Sequence, residues 1–235
     1  MSRLFLKLLI FICYISLIIS PESCDPGFAI INNECIPCKA GTFSAGDLSK
    51  ICEVCPAGTF SLSVSETCQL CSPGYISVKG ANLCTACPPG KYADKEGSTE
   101  CTNCTAGKYS PKSGATQCIL CPAGTYSPVG SSVCYPCPEG TFSSEGLSKC
   151  LNCTSGTFSL AGAVTCTRCP VGTFSKGSKS LCDPCPEGTF ASSQGSESCT
   201  ACSPGTYSYA KSSSCLKCPT GTTSDANAMT CKSIT

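Results

Sequence analysis

Apolar side chains are spread very unevenly along the chain. The stretch from Leu8 to Ile19 is predominantly apolar over twelve residues, whereas leucine, isoleucine, valine and methionine become sparse beyond it and serine, threonine and glycine abundant. The apolar feature that recurs there is a single aromatic in a short cysteine-led phrase, Cys137-Pro138-Glu139-Gly140-Thr141-Phe142-Ser143. Close copies start at Cys55, Cys121, Cys169 and Cys185, looser ones at Cys38, Cys71, Cys87, Cys104, Cys153, Cys202 and Cys218, and a partial one at Cys24. From Cys38 to Cys218 the starts recur every 16 or 17 residues, a period that marks a tandem array. The pattern predicts no helix after the leader. It predicts a three-residue strand fragment of threonine, aromatic and serine in each copy, from which a polar, glycine-bearing tip facing solvent returns the chain so that the residues before the next cysteine complete a two-stranded ribbon. The fold class expected is a small disulfide-rich, β-poor protein: an elongated tandem array of such ribbons, each touching only its neighbours.

The glycine of the phrase follows its cysteine by three residues in all thirteen copies, Gly27 and Gly221 included, which points to a backbone angle that other residues resist. The aromatic is Phe or Tyr in ten copies; Phe28 and Tyr75 come one residue early, and Thr223 stands in the last. A ring at this place is expected to cover the disulfide and the neighbouring repeat.

Residues 1–23 read as a secretory leader, with Arg3 and Lys7 before the apolar run and an exit after Ser20 or Ser23. Twelve apolar residues fall short of the roughly 20 needed to span a bilayer. Residues 24–37 then form a partial N-terminal capping repeat, 38–231 the tandem repeats, and 232–235 a short tail without a lipid-anchor signal, leaving no integral membrane segment in the mature chain.

The chain has 27 cysteines, and removing Cys13 with the leader leaves 26, an even number suited to an oxidising compartment. Twelve Cys-x-x-Cys pairs lie between a lone Cys24 and a lone Cys231. Redox pairing within each Cys-x-x-Cys, or zinc held by pairs of them, leaves those two over, and crossed pairing in groups of four does not divide 26. Pairing sequence neighbours across the longer gap leaves nothing over. It joins Cys24 to Cys35, Cys38 to Cys52, Cys55 to Cys68, Cys71 to Cys84, Cys87 to Cys101, Cys104 to Cys118 and Cys121 to Cys134. The same rule joins Cys137 to Cys150, Cys153 to Cys166, Cys169 to Cys182, Cys185 to Cys199, Cys202 to Cys215 and Cys218 to Cys231. Spacing alone does not prove connectivity, and this ladder is the economical choice. Each loop of roughly 15 residues is worth about 3 kcal/mol in the chain-entropy picture, enough in sum to replace a missing apolar core.

Charge excludes more than it suggests. Beyond Ser20 fourteen basic residues face fifteen acidic ones with no basic block, which argues against nucleic acid as a partner. Histidine is absent, which removes serine–histidine and cysteine–histidine catalysis, and a chain without a cleft-forming domain is not expected to be an enzyme or to need a cofactor or metal. Two N-glycosylation sequons, Asn103-Cys104-Thr105 and Asn152-Cys153-Thr154, occupy equivalent places three repeats apart.

The repeated Cys-Pro-x-Gly-Thr-[Phe/Tyr]-Ser with Cys-x-x-Cys at this period resembles the ephrin-receptor-like cysteine-rich repeat, a relative of EGF-like modules found also in secreted and cell-surface proteins of protists. The loop with its Gly-x-[Tyr/Phe] is similar to the small cysteine modules of tumour-necrosis-factor receptors. The resemblance covers residues 24–231 and implies an extended, disulfide-laddered ectodomain, with neither a kinase nor an ephrin-binding domain. The function expected is a secreted or surface-associated spacer, coat or matrix component. The alternative is a recognition module binding an extracellular protein or glycan through the hairpin tips; a redox or zinc protein is the remote third reading.

Overall fold

The computed structural model describes residues 22–234, so the leader expected over 1–23 lies almost wholly outside the described residues. Among the described residues there is no helix; 26 short strands form two-stranded antiparallel ribbons. The chain divides into two compact units, residues up to 102 with 112–117, and residues 103–111 with 118 onward. Each is built from the same repeat.

The repeat opening at Cys121 shows the local logic. Pro122 and Ala123 lead into Gly124, whose φ of +84° is open to glycine and strained for other residues. That angle lets the Thr125 N–H turn back onto the Pro122 carbonyl at 3.2 Å, and the Thr125 hydroxyl donates to the same oxygen at 2.6 Å. Thr125 and Tyr126 then pair with Pro136 and Tyr135. The Cys137 N–H closes the ribbon onto the Gly124 carbonyl at 2.9 Å. The Cys121–Cys134 disulfide holds the loop, with its Cα atoms 5.7 Å apart.

Two expectations are corrected here. Apart from the first ribbon the strands are two residues long, and the returning strand is the dipeptide inside Cys-x-x-Cys, one cysteine later than expected. The serine after the aromatic leaves the ribbon because its polar groups are used between repeats. Ser143 is fully buried; its carbonyl accepts the Gly124 N–H of the preceding repeat at 2.8 Å, and its hydroxyl donates to the Thr125 carbonyl at 2.8 Å. Its own N–H donates forward to Ala163 at 3.3 Å. Ser61, Ser77, Ser159, Ser208 and Ser224 make the same backward hydroxyl bond. Alanine at 93 and 191 keeps only the backbone bonds.

The tips reach further back. The Gly146 N–H donates to the carbonyl of Cys121, one repeat earlier, at 2.9 Å. A Cβ placed on Gly124 would overlap the carbonyl oxygen of Gly162, at the tip two repeats later. The same relation joins Gly41 to Gly80, Gly58 to Gly97 and Gly156 to Gly195. Contacts therefore extend to the second repeat, beyond the neighbour-only stacking expected, and the tips' backbone is tied down while side chains such as Asp94, Lys95 and Glu96 remain exposed.

Among the described residues the buried apolar side chains are only cysteines and alanines. The largest fully buried side chains are cysteines and serines, and among the described residues no buried side-chain nitrogen or oxygen lacks a partner. The first repeat departs from the rest. Phe28–Ile31 and Glu34–Pro37 form a longer hairpin around Asn32 and Asn33, whose φ values of 52° and 64° suit a tight two-residue turn. Because Phe28 comes early, Ala29 takes the aromatic's place and is fully buried. At the other end Lys232–Ser233, read as tail, is the returning strand of the last ribbon, opposite Thr222–Thr223.

Candidate functional site

The cysteines come together as Cys24–Cys35, Cys38–Cys52, Cys55–Cys68, Cys71–Cys84, Cys87–Cys101 and Cys104–Cys118. They continue as Cys121–Cys134, Cys137–Cys150, Cys153–Cys166, Cys169–Cys182, Cys185–Cys199, Cys202–Cys215 and Cys218–Cys231. Every cysteine among the described residues is thus oxidised. The opening cysteine of each repeat is buried up to Cys202, while the closing one is half-buried, and Cys35 is exposed. The asymmetry goes with the tips, whose N–H donates to the carbonyl of the opening cysteine one repeat earlier from Cys24 to Cys202. Among the described residues, no group of three or more His, Cys, Asp or Glu side chains is placed to hold a metal ion. No helix there is long and apolar enough to cross a membrane.

Among the described residues two shallow grooves recur. A groove of about 300 Å³ is lined by Phe60, Ser72, Tyr75, Leu83 and Cys84, and one of about 240 Å³ by Tyr207, Tyr209, Pro219, Thr222 and Thr230 with Cys231. The two are the same place in different repeats: the aromatic of one repeat facing the turn and closing cysteine of the next. In these two repeats the ring thus faces the closing cysteine of the neighbouring rung across the groove. In the second groove Tyr209 meets Tyr207 edge-on at 5.6 Å, and the charge of Tyr209, then burial and their hydrogen bond, raise the Tyr207 phenol above its usual pKa.

A second surface feature went unread in the sequence. The dipeptide inside Cys-x-x-Cys is exposed in almost every ribbon, and in three successive repeats of the second unit it carries Ile119 with Leu120, Tyr135, and Leu151, all roughly half exposed. Ile119, Tyr135 and Leu151 stand opposite the half-buried rings Tyr109, Tyr126 and Phe142 in turn, and Leu120 stands opposite Lys108. Asn103 and Asn152, also in this dipeptide, are both exposed.

The comparisons with known proteins follow the repeat. The family profile described as tyrosine-protein kinase ephrin type A/B receptor-like matches seven times, over residues 58–100, 74–117, 90–126, 124–159, 140–181, 156–198 and 172–213. Together these overlapping matches span most of the chain. No curated protein matches it.

Proposed function

The chain belongs to the ephrin-receptor-like family of cysteine-rich repeats, and from that premise we propose that it is a secreted or surface-associated, non-enzymatic structural array serving as spacer, coat or matrix component. The observation that carries this reading is where the polar groups go. Glycine, serine and tip amides are committed to the adjoining repeats: the Gly124 N–H to Ser143 of the following repeat, the Gly146 N–H to Cys121 of the preceding one, and Ser143 to both sides. The chemistry of the repeat is spent on joining itself, and the grooves left over are shallow. Thirteen disulfides suit an oxidising extracellular setting.

Recognition of an extracellular protein is the second reading, favoured by the exposed apolar dipeptides around Ile119, Tyr135 and Leu151. It moves the contact surface from the tips to the returning strands. Proximity labelling on intact cells separates the two. A spacer labels many neighbours at low yield and is indifferent to Ile119→Ser with Leu151→Ser, whereas a recognition module labels one partner and loses it in that variant. A chain retained in the cytosol contradicts both.

A further inference from the structure

The two sequons are each built around a buried opening cysteine, and that placement puts glycan addition in conflict with folding. In Asn152-Cys153-Thr154 the outer residues are exposed but the middle one is buried. Asn152 is paired in the ribbon with Thr141. The Cys153 N–H donates to the Gly140 carbonyl at 2.9 Å, and the Cys153 carbonyl accepts the Ser178 N–H, from the tip of the following repeat, at 3.0 Å. The Thr154 carbonyl accepts both the N–H of Thr157 at 3.1 Å and its hydroxyl at 2.7 Å. The other sequon is held in the same way. Cys104 is fully buried, its carbonyl accepts the Gly130 N–H at 2.8 Å, and the Thr105 carbonyl accepts the Lys108 N–H at 3.0 Å. Gly130 also stands over Asn103, so close that a Cβ there would lie 3.5 Å from the Asn103 Oδ1.

We propose that Asn103 and Asn152 are N-glycosylation sites open only until the rungs Cys104–Cys118 and Cys153–Cys166 close, so that their glycan content records how fast each rung formed. The proposal rests on the extracellular reading above. A transferase must surround the main chain of the acceptor tripeptide, and in the closed repeat the backbone of the middle residue is bonded into the protein and its side chain is internal. In the open repeat the tripeptide is free. The asparagine Nδ2 then attacks C1 of a lipid-linked oligosaccharide; the N–C1 bond forms, the C1–O bond to the lipid diphosphate breaks, the diphosphate leaves with that electron pair, and one amide proton is released. Closing the rung instead joins two thiols and passes two electrons and two protons to a disulfide donor, reduced to its dithiol. Both reactions consume the same open segment, and rung closure ends the competition.

The test uses the full chain, a purified oligosaccharyltransferase and a lipid-linked oligosaccharide donor. Protein held reduced in a phosphine should gain sugar at both sites by peptide mass, each lost on substitution of its own asparagine by glutamine, and the oxidised protein should gain none. Cys166→Ser leaves the Asn152 sequon intact but removes its rung; the oxidised variant should accept sugar at Asn152 and not at Asn103, and Cys118→Ser should give the reverse. Equal transfer to oxidised and reduced chain, or none to the reduced chain, overturns the proposal. A failure of the extracellular reading shows separately, as retention of the chain inside cells, and leaves this result as it stands.

Discussion

Gly124 and Gly221 hold the same place in their repeats and nearly the same backbone angle, with φ of +84° and +82°. Their surroundings differ. A side-chain carbon on Gly124 would overlap Gly162, whereas on Gly221 it would meet no described atom within 4 Å. The turn therefore requires glycine at both positions, but only in the interior does packing require it as well. One residue type answers two demands, and the last repeats separate them.

Removing rungs should give the widest contrast. Cys121→Ser with Cys134→Ser should cost about 2–5 kcal/mol and open that repeat, as expected for a native disulfide of a small domain. Because the tip carrying Gly130 bonds to Cys104, and Gly124 packs against Gly162, loss of hydrogen-exchange protection should spread to repeats on both sides. Cys218→Ser with Cys231→Ser should expose only its own repeat and the two before it. Protection changes confined to the mutated repeat in both variants would break the comparison.

The glycines come next. Gly221→Ala should cost about 1–2 kcal/mol, the usual penalty for a left-handed alanine, while Gly124→Ala adds overpacking for a total of about 2–5 kcal/mol. Exchange protection of the two repeats measures both, and equal losses would remove packing from the account. A smaller effect of opposite sign is expected at Val64, a β-branched residue at φ 57° in a tip where Gly80 and Gly97 hold the matching place in later repeats. Val64→Gly should stabilise its repeat by about 1 kcal/mol, since relieved strain outweighs the added freedom of the unfolded chain. Last, Ser143→Ala removes the 2.8 Å hydroxyl bond to Thr125 and should cost about 1 kcal/mol, a loss that Ala93 and Ala191 show the repeat can accommodate.

The sequence made one of the glycine's two demands legible. A residue present in every copy after Cys-x-x signals a turn, but nothing in it signals a carbonyl arriving from two repeats away, because that proximity is set by how the repeats stack. Serine was harder. Its place reads as the last residue of a strand fragment, and its burial goes against the habit of the residue type. A signal was present all the same: from Ser44 to Ser224 the position holds only serine or alanine, the size limit of a crowded place. The exposed dipeptides with Ile119 and Leu151 were hidden by the attention that Cys-x-x-Cys draws to its cysteines. The aromatics were read more closely, since a ring in each of ten repeats has few places to go except against the next rung.

The account rests on rungs that join each opening cysteine to the closing cysteine of the same repeat, and peptide mapping of the unreduced protein tests that most directly. Proteolysis between the cysteines followed by mass spectrometry should recover Cys121 linked to Cys134, Cys137 to Cys150 and Cys218 to Cys231, with no free thiol in residues 24–231. Recovery of Cys134 linked to Cys137, or of free thiols at the Cys-x-x-Cys pairs, would contradict it.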